Sequence, residues 1–315
     1  MKNQNKTAGV PGIPNTGFFG HPKGLFTLFF TEFWERFSYY GMRAILVLYL
    51  YAEVTKGGLG FDQATAMSIV AIYGSLVYLS GIIGGWIADR LLGTSQTVFY
   101  GGILIMVGHI VLSLPFGVEA FFISMIFIIL GTGLLKPNIS SIVGELYTKN
   151  DQRRDSGFSI FYMGINLGAF TAPFVVEKLR YEFGSFHAGF SAAAVGMFVG
   201  LIVYVITKKK NLGQLGEEVP NPLTGDEKKK YAISIIAGVI IAGVVLYALA
   251  AVNWLTIDRF ILLVTITAVI LPVVYFITMY RSPKTTGDER SRLLAYIPLF
   301  LSSVLFWAIY EQGAN

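Results

Sequence analysis

The sequence predicts an all-α integral membrane protein, and three observations carry that prediction. Of its 315 residues, 54% are apolar and only 14% are charged, against about 25% charged in a typical soluble domain. The apolar residues gather in runs of about 18 to 26, each long enough as a helix to cross about 30 Å of hydrocarbon. Lys and Arg are shared unevenly among the segments between those runs.

The runs fall at about 25–51, 64–88, 97–115, 119–142, 157–177, 188–207, 231–250, 259–280 and 292–312. Residues 1–24 are a polar tail, and the run after it is too long for a signal h-region, so no cleavable signal is expected. With the N-terminus in the cytoplasm, 17 Lys and Arg lie inside and 4 outside, while Arg36, Arg43 and Lys136 lie within spans. The positive-inside rule then sets the chain N-in across the cell (inner or plasma) membrane. It also explains a pI near 9.2 without a nucleic-acid partner. The lipid bilayer is the one macroscopic partner the sequence demands, and no obligate protein partner is evident.

There are no cysteines, which excludes disulfides and thiolate metal sites. His21, His109 and His187 stand too far apart for ligand spacing, so no metal and no cofactor is expected. Residues 208–230, polar and rich in Lys, read as a cytoplasmic linker dividing six spans (25–207) from three. The seventh and eighth spans carry no charge between 231 and 250 or between 260 and 280. They read as an inserted, lipid-facing hairpin (231–280), with ordinary core spans as the other reading. Residues 281–315 supply a connector and one last span.

The first span holds four ionisable groups, Glu32, Glu35, Arg36 and Arg43. Each would cost about 2.5–3.5 kcal/mol at a lipid-facing helix centre. Positions 32, 35, 36, 39, 40 and 43 follow helical spacing and form one stripe, with Tyr39 and Tyr40 among the charges. Such a stripe faces protein or a wet cavity. Helix–helix glue is the bland reading. A pathway is the sharper one, because apolar packing glues as well at less cost.

Depth brings other polar residues to the same level. At about 1.5 Å per residue, Glu32 and Arg36 on the first span lie roughly 10–17 Å in, Lys136 on the fourth roughly 9–12 Å, and Tyr78 and Asn166 on the second and fifth roughly 15 Å. Arg36 with Lys136 would make a dicationic pocket suited to a carboxylate. Higher up, Arg43 and Glu311 of the ninth span match in depth and read as an ion pair, unless Glu311 faces outer water. Gly84–Gly93 closes the second span, where Asp89 and Arg90 read as a helix latch or a plain charged turn. Lys136-Pro137-Asn138 reads as a flexible point or a static kink.

Four stretches resemble the proton-dependent oligopeptide transporter family of the major facilitator superfamily. Glu32, Glu35 and Arg36 with Tyr39-Tyr40-Gly41 are similar to its E-x-x-E-R signature. Residues 84–93 are similar to its loop motif, Phe161–Gly168 to F-Y-x-x-I-N-x-G, and Phe306–Gln312 to its seventh-helix motif. The resemblance implies an N-terminal six-helix bundle, an inserted two-helix hairpin as in the bacterial branch, and the first helix of a C-terminal bundle. It implies proton-coupled symport of di- and tripeptides. Arg36, Lys136, Tyr39, Tyr40, Tyr78, Asn166 and Trp307 would bind substrate, and Glu32, Glu35, Arg43 and Glu311 would couple protons. Tyr310 stands where many members carry a second acid, so the role of that acid is not carried over. Members have two six-helix halves and this chain ends with the seventh family helix, so its half-cavity is not expected to transport alone. Another small anion, such as nitrate or a carboxylate, is the rival substrate. An enzyme is not expected, because no nucleophile–base or metal constellation is present. A structural or partner-binding subunit is a third reading, and predicts no thermal shift with substrate.

Overall fold

The computed structural model describes residues 10–312 except 253, 255 and 284. It falls into two compact units, Met1–Asp258 and Arg259–Asn315. The first unit contains α1 (Gly24–Tyr51), α2 (Gln63–Ile87), α3 (Thr94–Leu112), α4 (Gly117–Glu145), α5 (Arg154–Phe183), α6 (Phe186–Asn211) and α7 (Gly225–Ala251). The second contains most of α8 (Ile257–Arg281) and all of α9 (Gly287–Gln312). Among the described residues, eight of these helices are long and apolar enough to cross a membrane. The one left out is α1, whose charges disqualify it by composition although it is the centre of the packing.

Two helices begin earlier than their apolar runs. Glu227 Oε2 accepts from the Thr224 N–H at 3.0 Å while the Glu227 N–H donates to Thr224 Oγ1 at 3.3 Å. Thr286 and Glu289 repeat the arrangement at 2.8 and 3.4 Å. Each is a capping box that satisfies orphan N–H groups at a helix start. So α7 and α9 start at Gly225 and Gly287, before the expected 231 and 292. Similarly, α6 carries on through Lys208–Lys210, leaving only 212–224 outside a helix in the stretch read as a linker.

That stretch is pinned. A π-helical turn, Ala88–Leu92, ends α2. The Asn221 N–H donates to Asp89 O at 3.0 Å, the Leu223 N–H to Arg90 O at 3.3 Å and the Ser95 N–H to Gly216 O at 2.8 Å. Arg90 reaches Glu227 at 3.4 Å, so the latch expected of this turn is made to the start of α7. Gly93 sits at φ 77°, and a Cβ there would come within 2.7 Å of Gly216 O. A side chain would be strained and would push the segment away.

In the first unit α5 runs parallel to α1. Gly164 meets Phe29, Gly168 meets Phe33 and Arg36, and Gly41 meets Ala172 and Val176. The α6 helix runs antiparallel to α1, with Gly200 at Trp34, Gly196 at Phe37 and Gly189 at Ile45. The α2 helix runs beside α4, where Gly84 faces Gly133, and α3 crosses α4 where Gly101 faces Gly131. Small residues let membrane helices approach this closely. Two apolar clusters result. Leu25 and Leu28 of α1 belong to one, with Ile139, Phe161 and Tyr204. Tyr39, Met42 and Ile45 belong to the other, with Tyr73, Ile128 and Phe190. The charged turn Glu32–Arg36 lies between them.

The chain before α1 is clasped to the α4–α5 loop. Arg153 holds Asp151 at 2.7 Å and donates to Asn15 O at 3.1 Å, Asn15 Oδ1 at 2.6 Å and Gly20 O at 3.0 Å. His21 Nδ1 lies 3.0 Å from the Tyr147 hydroxyl. The hydrogen bond from Arg153 holds Asp151 below the usual carboxylate range. Burial, helped by the Arg153 charge, holds His21 below its usual value. Both groups bind protons more readily unfolded, so each stabilises the clasp at high pH. His21's share is complete above about 6.5 and Asp151's above about 3.9, and each is lost as pH falls through its lower folded value. The protection factors of the amides of residues 10–23, taken against their intrinsic exchange rates at each pH, are therefore expected to fall below about pH 6.5 and again below about pH 4. Protection that stays flat from pH 7 to 3 would contradict this.

In the second unit, Phe276 of α8 meets Tyr296 and Phe300 of α9 at 6.0 and 5.5 Å. Arg290 lies over Tyr280 at 6.0 Å and donates to Ser282 O at 3.4 Å.

Candidate functional site

The α1 stripe turns inward. Glu35, Glu32 and Arg36 are 0, 2 and 3% exposed. Arg36 Nη2 donates to Glu35 Oε1 at 2.6 Å and Nε to Glu35 Oε2, which makes a bidentate pair. Arg36 Nε also lies 3.3 Å from Glu32 Oε1, one turn earlier. The guanidinium sits 4.9 Å from the centre of the Tyr39 ring. Tyr40 meets Tyr39 edge-on at 5.2 Å. The planar fork of arginine suits this site, since it serves two carboxylates and an aromatic face together.

Lys136 of α4 joins from across the bundle. Its Nζ lies 5.0 Å from the centre of the Tyr78 ring on α2, and its charge acts on Glu32. Pro137 removes the N–H that would serve Gly133 O. Asn138 Nδ2 donates to Leu134 O at 2.7 Å and to Gly84 O at 3.1 Å, and α4 continues unbroken to Glu145. Asn138 ties the proline turn of α4 to the end of α2.

Arg36 is not an open cation waiting for a ligand, because Glu35 and Glu32 already hold it. With every group ionised, two glutamates balance Arg36 and Lys136, and the cluster is neutral. The reason is desolvation: a buried charge this deep is stable only when paired.

The other expected residues divide. Tyr78 is 58% exposed and Asn166 is exposed on α5. Gly168 of α5 touches the Arg36 side chain, so Asn166 sits near the level of Arg36 without a hydrogen bond to it. Arg43 is half-buried and acts on Tyr39. Trp307 is exposed, with Phe306 at 5.6 Å, and lies in the other unit. The side chain of Glu311 falls outside the described residues, and its pairing with Arg43 with it. Tyr73 of α2 was missed. It is buried and stacked on Tyr39 at 6.3 Å. Its hydroxyl in an uncharged apolar span was the available signal, since a buried tyrosine usually seeks a partner.

Known proteins share this fold. A family model described as "POT family" matches residues 95–315. The uncharacterized transporter YclF of Bacillus subtilis (strain 168) is 61% identical over 97% of this chain and 61% of its own length. A di-/tripeptide transporter of Lactococcus lactis subsp. lactis (strain IL1403) is 50% identical over 100% of this chain and 62% of its own. The crystal structure of peptide transporter POT in complex with sulfate matches with TM-score 0.86 and 64% identity, covering 96% of this chain and 61% of that one. A POT family transporter in complex with 5-aminolevulinic acid matches with TM-score 0.88 and 51% identity, covering 96% and 62%. The chain therefore spans about three fifths of the length of these relatives. With a matched family model over most of its residues and a shared fold at high identity, this multi-pass membrane chain belongs to the POT family.

Proposed function

We propose that the full-length form of this protein is a proton-coupled symporter of di- and tripeptides. It sits in the cell membrane with its N-terminus in the cytoplasm and works by alternating access around a midplane site. It is not an enzyme and needs no cofactor beyond the coupling proton. The observation that carries the reading is the set of buried Glu32, Glu35 and Arg36 with half-buried Lys136 beside it, neutral when all four are ionised. A peptide carboxylate brought to that cluster adds an unbalanced charge. A proton taken up by Glu32 or Glu35 removes one negative charge and leaves room for one carboxylate on Arg36 and Lys136. Substrate and proton therefore favour each other's binding, which is a reciprocal coupling. Tyr39, Tyr40, Tyr78, Asn166 and Trp307 would line the substrate chamber. Glu311 and Arg43 would form an outer proton-sensitive pair. The named substrates of the Lactococcus relative support peptides.

Uptake of di-alanine into proteoliposomes is expected to rise with an inward proton gradient and to fall when the gradient is dissipated. Peptide flux that ignores the gradient would overturn the reading. The sulfate complex of a relative keeps a second reading in view, a small anion as substrate. Failure of nitrate or sulfate to compete with di-alanine would remove it.

A further inference from the structure

The start of α7 is fixed to the end of α2. Backbone bonds run from Asn221 and Leu223 to Asp89 and Arg90, Arg90 reaches Glu227 at 3.4 Å, and the Tyr231 ring meets Trp86 edge-on at 5.4 Å. Beyond these turns the apolar stretch of α7, up to Leu249, is nowhere buried among the described residues. An apolar membrane helix so exposed is covered by acyl chains. Lys228, Lys229 and Lys230 are exposed and stand directly before that stretch, within about 5 Å of the Trp86–Tyr231 level along the helix axis. Trp and Tyr gather where hydrocarbon meets head groups, so the lysines stand at head-group height. Glu227 and Tyr231 mark the side of α7 turned to α2. At about 100° per residue, Lys228 and Lys230 fall about 80° to either side of that direction and Lys229 falls opposite it. The nearby acids are engaged or set back: Glu227 is with Arg90, Glu217 with Lys208 at 3.0 Å, and Asp226 lies one turn farther from the hydrocarbon than Lys230. Topology does not need the three lysines, since without them Lys and Arg would still divide 14 to 4.

We propose that the seam between α2 and α7 is a binding site for an anionic phospholipid. Lys228 and Lys230 take the acidic head group from the two flanks of the seam. Trp86 and Tyr231 pack at the level of its glycerol esters, and the exposed aliphatic length of α7 takes its acyl chains. A zwitterionic phospholipid brings its own cation to the same lysines and is held less well. Each lysine at a membrane surface favours an anionic lipid severalfold. The lipid bridges the two helices where their direct contacts end, and so holds α7 to the first unit. The inference concerns the membrane and is independent of what is transported.

Native mass spectrometry of the full-length protein in detergent reads the binding of dioleoylphosphatidylglycerol against dioleoylphosphatidylcholine. Wild type is expected to bind the phosphatidylglycerol about tenfold more tightly or better. Lys228→Gln with Lys230→Gln is expected to lose most of that preference and to keep phosphatidylcholine binding within about twofold of wild type. Lys209→Gln with Lys210→Gln, an equal loss of charge at the end of α6, is expected to keep the preference within about twofold. Equal affinity of wild type for the two lipids overturns the site. So does an equal loss of preference in both double variants, which would mean that the lipid reads net charge alone. A K228Q/K230Q protein that loses both lipids alike overturns the assignment of the head group to these lysines. Displacement of the phosphatidylglycerol by soluble glycerol 3-phosphate at matching concentration overturns the lipid as the ligand, in favour of a free phosphate ester.

Discussion

Arg36→Ala is expected to destabilise the protein by about 3–5 kcal/mol, the cost of breaking a buried ion pair from one side. The substitution strands Glu35 and Glu32, which are both almost fully buried and share Arg36 as their ionic partner. Lys136 lies across the bundle with its ammonium over Tyr78 and is a poor replacement for a bidentate fork. Arg36→Lys keeps the charge and loses the fork, so it is expected to fall between wild type and alanine. The triple variant R36A with E32Q and E35Q removes all three charges together. It is expected to recover part of the loss, since no buried charge is left unpaired, while the cavity at position 36 remains. Thermal unfolding in detergent ranks the four proteins. A single R36A variant as stable as wild type would mean that the glutamates are not held as the structure shows.

Gly133→Leu is the second large effect, expected to cost about 3 kcal/mol, the upper end for overpacking. A side chain at 133 would run into the backbone and side chain of Ser80, while one at Gly84 would run into the backbone of Gly133 and Leu134. Helices α2 and α4 touch there backbone to backbone. Prising them apart also strains the bonds of Asn138 and Ser80, which donate to Gly84 O and Ile129 O. Gly85 is the control. A Cβ there meets nothing within 4 Å, so Gly85→Ala is expected to be neutral or to stabilise by up to about 1 kcal/mol through helix propensity. Monodisperse yield and unfolding temperature check both. Equal tolerance of the two substitutions would show that the close approach is not needed.

Helix number and order were legible because hydrocarbon thickness imposes long apolar runs, and the runs from 25–51 to 292–312 all became helices. Their ends were less legible. Hydropathy stops at the hydrocarbon edge, whereas hydrogen bonding does not, so the capping boxes at Thr224 and Thr286 moved two starts outward. Those boxes stood in the sequence as T-x-x-E and could have been read. The charged stripe on α1 was legible for an energetic reason, because four charges in one span demand a shared face. Who holds whom was not. Depth alone placed Arg36 and Lys136 together as a doubly positive pocket, but it could not show that Glu35, the adjacent residue, wraps its carboxylate around the same guanidinium. Tyr73 was passed over by the depth argument because it lies five residues, about 7.5 Å, from the level of Tyr78, and its stack on Tyr39 is a packing fact that no depth count supplies.

The glycine contacts of α1 with α5 and α6 have a mechanical consequence. Glu32, Glu35 and Arg36 ride on one sheaf of helices, in which Gly168 lies against the Arg36 side chain and Gly196 and Gly200 lie against the next faces. Lys136, Tyr78 and Tyr73 ride on another, locked by Gly84 and Gly133. The two positive centres are therefore mounted like the jaws of a caliper. Any sliding of one sheaf past the other resets the gap between them while each jaw keeps its own fittings.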